Sequence, residues 1–254
     1  MLLQNTVDPW SNLLRDKERI SVFMGNRGVL HDRTREVRKP WLGQRWLCCA
    51  RTFGGIDRRP LFKTDPFSYS ELFFLDEATA YAAGHRPCND CRRPDLEIFK
   101  KFWGEADPAG SSSTPIRVSD IDSQLHQQRG GADGKKLTYR ASLQSLPAGA
   151  MVSRDGTAYL VGSRGIRRWT VSGYLDAALR ADMEVDVLTP RSIVILLARG
   201  LPVQVHESAD AQSRWTTRSS TRLLAHWPVA LNPEKSASLR LELNLRRPRS
   251  IGDL

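Results

Sequence analysis

The chain has no apolar run of about 18 residues, the length that a membrane-spanning helix needs. Its first residues, MLLQNTVDPW, lack a basic segment followed by an apolar one. No secretion signal is therefore expected, and the predicted location is cytoplasmic. Cysteine is scarce, with four in 254 residues. In a chain without a signal, four cysteines fit a reduced compartment and metal ligation better than disulfides. Familiar catalytic signatures are missing: there is no Walker loop, dinucleotide fingerprint, G-x-S-x-G elbow or H-E-x-x-H. Residues 87–91 do supply P-C-x-x-C, but the H-x-E of a zinc deaminase is missing, because His31 is followed by Asp32 and Arg33. Acid is also in deficit. Asp and Glu number 28 against 38 Lys and Arg, giving a net charge of +10. Such a field favours polyanionic partners, above all nucleic acid and in particular DNA. Hydrophobic content of 40% and charged content of 26% are ordinary for a globular protein. The length suits one large domain or two small ones.

What is there is organised around residues 72–95, LFFLDEATAYAAGHRPCNDCRRPD. Residues 72–75 form a short apolar run of strand type. Asp76 stands at an N-cap position, with Glu77 in the first turn, where the helix dipole favours negative charge. Ala78, Ala80, Ala82 and Ala83 are strong helix formers, and Gly84 suits a left-handed C-cap. Pro87 stops the helix. Cys88 and Cys91 then sit two residues apart in a tight turn, which lets two thiolates face one metal ion. Leu96, Ile98, Phe99, Phe102 and Trp103 predict a second helix leaving the turn.

The pattern AT-x-x-AAG-x-RPC-x-x-C-x-x-PD resembles the end of the metal-binding zinc domain of the bacterial Ada alkylation-repair family. The wider pattern (MGNRG-x-LHD, W-x-CC, LFFLDEATA-x-AAGHRPC-x-x-C) resembles a family of bacterial proteins that carry this Ada-like segment. The resemblance is close over roughly 25 of the 254 residues. It implies an α+β zinc-binding domain with a strand–helix–CxxC knuckle, a bound Zn2+, and a role in DNA repair or regulation. It breaks upstream. The family's earlier ligand pair is spaced C-x-x-x-C, whereas this chain has adjacent Cys48 and Cys49, further from the knuckle. RRPL at residues 58–61 echoes a family segment, but aligning on it puts Arg51 and Gly55 where cysteines belong.

Residues 41–53, WLGQRWLCCARTF, read as a strand with alternating sides, so Cys48 and Cys49 face opposite ways. A bulge could bring both to one ion. Three arrangements stay open: four cysteines, three cysteines with another ligand, or no site. The metal candidates are Cys88, Cys91, Cys49 and Cys48. Around the knuckle, Arg51, Arg58, Arg59, Lys63, Arg86, Arg92 and Arg93 predict a basic face. Phe53, Phe62, Phe67 and Tyr69 interleave with it, and arginine with aromatics serves phosphate contact and base stacking.

Elsewhere, a short helix is expected near residues 10–14, a strand at 20–23, a turn at 24–28 and a strand start at 29–32, carrying His31 and Asp32. Residues 33–39 read as a charged loop and 54–70 as a basic loop or hairpin. Residues 104–114 read as a linker. Ser119 to Asp122 suggest a capping box for a helix through His126 and Arg129. Lys135 to Arg140 form a basic run. From residue 150 the period changes to two, with Asp155-Gly156 as a hairpin turn between strands. A strand at 184–188, a helix at 191–199 opened by Thr189 as N-cap and Pro190, and a strand at 203–206 complete a small α+β module. The expected divisions are a zinc domain at 1–105, linker and helix at 106–145, the module at 146–208 and a basic, partly disordered tail at 209–254. Three functions follow. The first is a zinc-stabilised DNA-binding protein. The second, implied by the resemblance, is a methylphosphotriester acceptor using Cys48 or Cys49. The third is a nuclease or other nucleic-acid enzyme built on His31, Asp32, His126 and Arg129, with neutral imidazole and carboxylate as base or metal ligand.

Overall fold

In the computed structural model, the strand and helix expected at 72–83 lie at the centre of an α+β fold. The structure describes residues 3–16, 21–57, 69–106, 116–130 and 134–210. The first half runs β1 (Gln4–Val7), β2 (Leu13–Arg15), β3 (Phe23–Asn26), β4 (Leu47–Ala50), β5 (Thr52–Phe53), β6 (Ile56–Asp57), β7 (Leu72–Phe74), α1 (Glu77–Ala82), β8 (Arg86–Pro87), α2 (Arg93–Ala106) and α3 (Val118–Arg129). The second runs β9 (Tyr139–Ser142), β10 (Met151–Arg154), β11 (Thr157–Gly162), β12 (Gly165–Thr170), β13 (Gly173–Asp176), β14 (Glu184–Val187) and α4 (Arg191–Ala198).

Two six-stranded sheets result. The first is mixed, in the order β2-β1-β7-β3-β4-β8, with β1 parallel to β7 and β8 parallel to β4. The second has the order β13-β12-β11-β10-β14-β9 and is antiparallel throughout. The pleat of the first sheet sorts its residues by side. Phe23, Cys48, Leu72 and Phe74 pack with Ala80 and Ala83 of the α1 segment. Met24, Cys49 and Phe73 face the other way, against Cys88. Gly25 makes the close approach of β3 and β4 possible: a Cβ there would lie 2.1 Å from the Leu47 carbonyl oxygen.

Helix α1 is buried at every position. Its alanines let both sheets approach: Ala80 packs on the first, and Ala78 and Ala82 pack against Met151 and Leu160 of the second. Asp76 caps it as expected, accepting from Thr79 N at 2.8 Å. Gly84 takes the left-handed conformation at φ +90°. The boundaries expected near 105 and 146 do not divide the core. Tyr81 and Phe99 share one cluster with Ile121, Leu125, Val152, Val187 and Ile193. The described residues accordingly belong to one unit.

Several local expectations are corrected. Residues 10–14 turn into β2 rather than a helix. The strand expected at 20–23 is β3, which runs through the residues read as a turn. His31 has only an isolated bridge to Val37. Residues 41–53 give two short strands instead of one. Helix α3 starts at Val118, ahead of the expected cap: its N-cap is Arg117, whose side chain has no acceptor, and Asp122 bonds to Arg86. Pro190, not Thr189, is the N-cap of α4, and the Thr189 hydroxyl accepts from Met151 N. The basic run at 135–140 enters β9, and β13 was not foreseen. Residues 203–206 are extended without forming a ladder, although Gln204 exchanges bonds with Glu77. Residues 107–115 of the linker and 211–254 of the tail lie outside the described residues.

Candidate metal centre

Three of the four cysteines come together. The ligand atoms of Cys49, Cys88 and Cys91 all lie within 4.8 Å of one another, close enough to hold a metal ion. The fold dictates this grouping. Pairing of β4 with β8 sets Cys48 beside Pro87, and Cys88 N donates to Cys48 O at 3.0 Å. The turn after β8 therefore starts at the edge of β4, on the side to which Cys49 points. Ala50 N donates to Cys91 Sγ at 3.3 Å, a bond suited to a sulfur that carries charge. Cys49 and Cys88 are buried and Cys91 is half-buried.

The sulfur set fits a soft or borderline cation such as zinc. Zn–S bonds of about 2.3 Å place tetrahedral sulfurs about 3.8 Å apart, so the present grouping needs to close by about 1 Å or less. The neighbouring Cys49 and Cys91 hold the pKa of Cys88 down, while Cys88 holds that of Cys49 up. Among the described residues, no His, Asp or Glu joins the three sulfurs.

Cys48 stands apart. It is fully buried on the α1 side of β4, and burial pushes its thiol up. Arg92 Nη1 lies 3.3 Å from its sulfur. A thiol shut in this way is a poor nucleophile. Cys49 is 2% exposed, so neither expected alkyl acceptor is open to a bulky substrate.

The expected basic face divides. Arg51 and Arg93 are exposed, and Arg51 pairs with Asp57. Arg86 and Arg92 are buried and act within the fold. Arg86 donates to both Asp122 carboxylate oxygens, at 2.8 and 2.7 Å, and to Pro87 O and Asn89 Oδ1. Arg92 pairs with Glu77 at 2.6 Å and Asp95 at 3.0 Å, over the Phe23 ring. Arg58, Arg59 and Lys63 lie outside the described residues, as do Phe62 and Phe67.

Among the described residues, His31, Asp32 and His126 do not gather into a metal-holding group. His31 Nδ1 meets Ser70 Oγ at 2.5 Å. Asp32 closes its own loop through Thr34, Glu36 and Arg38, and those bonds, with Thr34 first, hold its pKa down. His126 lies on α3 against Trp41 and Trp46.

A second polar constellation had no sequence signal. Trp46 is 1% exposed, and the guanidinium carbons of Arg27 and Arg129 lie 4.8 and 4.1 Å from its ring centroid. The His85 ring is 5.2 Å from it. Arg27 and Arg129 are separated in sequence by 102 residues (129 minus 27), so only the tertiary fold joins them. Comparison with protein-family models, with curated proteins and with solved structures finds no match to this chain.

Proposed function

We propose that Cys49, Cys88 and Cys91 hold a structural zinc ion in a DNA-binding protein of Ada-like design. The grouping of three thiols from a strand and a C-x-x-C turn carries this reading. Zinc would pin the end of β8 to β4, and deprotonated thiolates bound to it would contribute folding energy. The metal is read as structural because two of its ligands are buried and neither His31 nor His126 stands beside it. DNA binding rests on the charge of +10 and on exposed cations around the site and in the preceding loop. Arg51 and Arg93 each follow a thiol by two residues, and Arg33, Arg35, Arg38, Lys39 and Arg45 are exposed between β3 and β4. Such cations would hold phosphates without reading sequence.

Purified protein should contain about one zinc per chain, and Cys88→Ser should lose it. Duplex DNA should bind tightly at low salt, with a log–log salt slope that flattens when Arg51 and Arg93 become Ala. Zinc-free protein that melts as the loaded form does would sink the metal assignment. No binding at low salt would sink the DNA assignment.

A further inference from the structure

Burying a charge is costly unless it is paired. Around Trp46 the fold buries Arg27 at 0% and Arg129 at 1% exposure. Half-buried Lys136 joins them, its ammonium donating to Ala82 O. Among the described residues, no carboxylate lies within ion-pairing distance of any of the three. Their bonds go to neutral oxygens instead. Arg27 donates to Ser11 Oγ and Ser11 O, and Arg129 to Gly84 O and Gln44 O. Two acids act on the cluster without pairing with it: Asp8 on Arg27 and Lys136, its carboxyl shifted upward by burial toward the neutral form, and Asp122 on Arg129, its carboxylate already engaged by Arg86.

Polar atoms are also left over. Arg27 Nε and Arg129 Nε are buried and have no hydrogen-bond partner among the described residues; the His85 ring nitrogens make no well-formed bond either, although the Ala80 backbone lies near enough to act on the ring. Each such atom costs about 1–3 kcal/mol if nothing ever meets it. The four side chains belong to four segments: the turn after β3, the turn after α1, the end of α3 and the loop before β9. Donors gathered from so many places and satisfied only in part leave hydrogen-bonding capacity that an anion could use.

We propose that this cluster is a binding site for a phosphate monoester. Two guanidiniums and an ammonium call for a ligand with more than one negative charge, which a phosphate monoester has at neutral pH and a carboxylate lacks. The guanidinium fork matches tetrahedral oxygens. His85 supplies an imidazole N–H. Trp41 and His126, both half-buried and packed edge to face at 6.1 Å, present rings beside the cluster on which a base can stack. Inorganic phosphate, a mononucleotide and a 5′-phosphorylated strand end all offer this chemistry. No thiol takes part, so loss of this site leaves the zinc reading untouched.

The test uses full-length, metal-loaded protein at constant ionic strength, with chloride as reference. Inorganic phosphate at about 100 times Kd should raise Tm by about 5–10 °C. Lys136→Met is the deciding variant. It should melt above wild type in chloride, because it removes an uncompensated charge. It should also lose phosphate affinity by about tenfold, the worth of one charge-assisted bond, in a tryptophan-fluorescence titration. A wild-type Tm that phosphate leaves unmoved overturns the site, and so does a phosphate response unchanged in Lys136→Met. Two further arms assign the source. Tighter binding of a 5′-phosphorylated oligonucleotide than of its 5′-hydroxyl form assigns strand ends. Tighter binding of a nucleoside monophosphate than of either strand assigns free nucleotides. Equal binding of the two strands, without binding of the monophosphate, overturns the proposal.

Discussion

Arg86 and Arg129 are both buried arginines that tie helix α3 to the segment following α1, and they are held in opposite ways. Arg86 meets a carboxylate with two parallel bonds. Arg129 meets only the carbonyls of Gly84 and Gln44, and its Nε meets nothing among the described residues. Helix α3 supplies both halves of this contrast. Asp122 and Arg129 stand seven residues apart, two turns, on one face of it. At one end the helix closes a charge, and at the other it adds one to a place that has too many. The lesson is that a buried cation is not evidence of one purpose. Paired, it fastens α3 to β8; unpaired, it prepares a site for an anion.

The comparison breaks most severely at Asp122. Asp122→Ala leaves the Arg86 charge buried with two neutral acceptors. Breaking a buried pair from one side costs about 3–5 kcal/mol. Urea denaturation should show that loss. The double variant Arg86→Met, Asp122→Leu should recover most of it, because neither charge then needs solvation. A loss below about 1 kcal/mol would mean that Pro87 O and Asn89 suffice and that the carboxylate does little.

Gly84→Ala is the next largest effect and acts at the other arginine. A residue with a side chain at φ +90° is strained by about 1–2 kcal/mol. The added Cβ would also lie 2.5 Å from Arg129 Cδ, so that side chain must move. The two costs separate in a double-mutant cycle. Strain and the 2.8 Å approach to the residue-129 Cβ persist when Arg129 is also replaced by Ala, whereas the contacts with Cγ and Cδ disappear. Strict additivity of the two substitutions would show that Arg129 does not rest on Gly84.

Much of the fold was legible because it rests on local chemistry. Asp76, the alanines of α1 and Gly84 each state a helix boundary or interior within a few residues. Asp155-Gly156 states a hairpin, and β10 and β11 pair across it. Opposite facing of Cys48 and Cys49 follows from the pleat alone, and it selects three thiols of the four. What was not legible depends on distant partners. Arg86 and Arg92 read as surface cations because nothing near them in sequence reveals Asp122 or Glu77. The capping box at residues 119–122 is a sound local reading that fails because the helix starts at Val118, which puts Ser119 and Asp122 inside it and leaves Asp122 to meet a distant arginine. The Trp46 cluster had no signal, since its members come from five separate segments and share no spacing.

The smallest expected effect is a pH dependence. Burial lowers the Lys136 ammonium from its ordinary value to about 7, with Arg129 and Arg27 adding repulsion and Asp8 opposing it. Arg27 and Arg129 are themselves pushed down to about 9, and His85 is held well below the ordinary imidazole range, chiefly by burial. For a lowered cation the sign is fixed. Between pH 7 and the unfolded lysine value of about 10.4, the unfolded chain holds a proton that the folded chain has released. Stability contributed by this residue therefore rises with pH across that window and is lost as pH falls toward 7. One proton sets an upper limit of about 1.4 kcal/mol per pH unit. The half-buried ammonium should reach less, because solvent screens it. His85 acts in the same direction at lower pH: its unfolded form gains a proton near pH 6.5 that the folded form refuses. In phosphate-free buffer, Tm should thus increase by a few degrees from pH 7 to 9.5, and Lys136→Met should flatten that rise while leaving the acid limb in place. A wild-type Tm that falls steadily across the same range would mean that the Lys136 ammonium is solvated like any surface lysine, and the contrast with Arg86 would then rest on Arg27 and Arg129 alone.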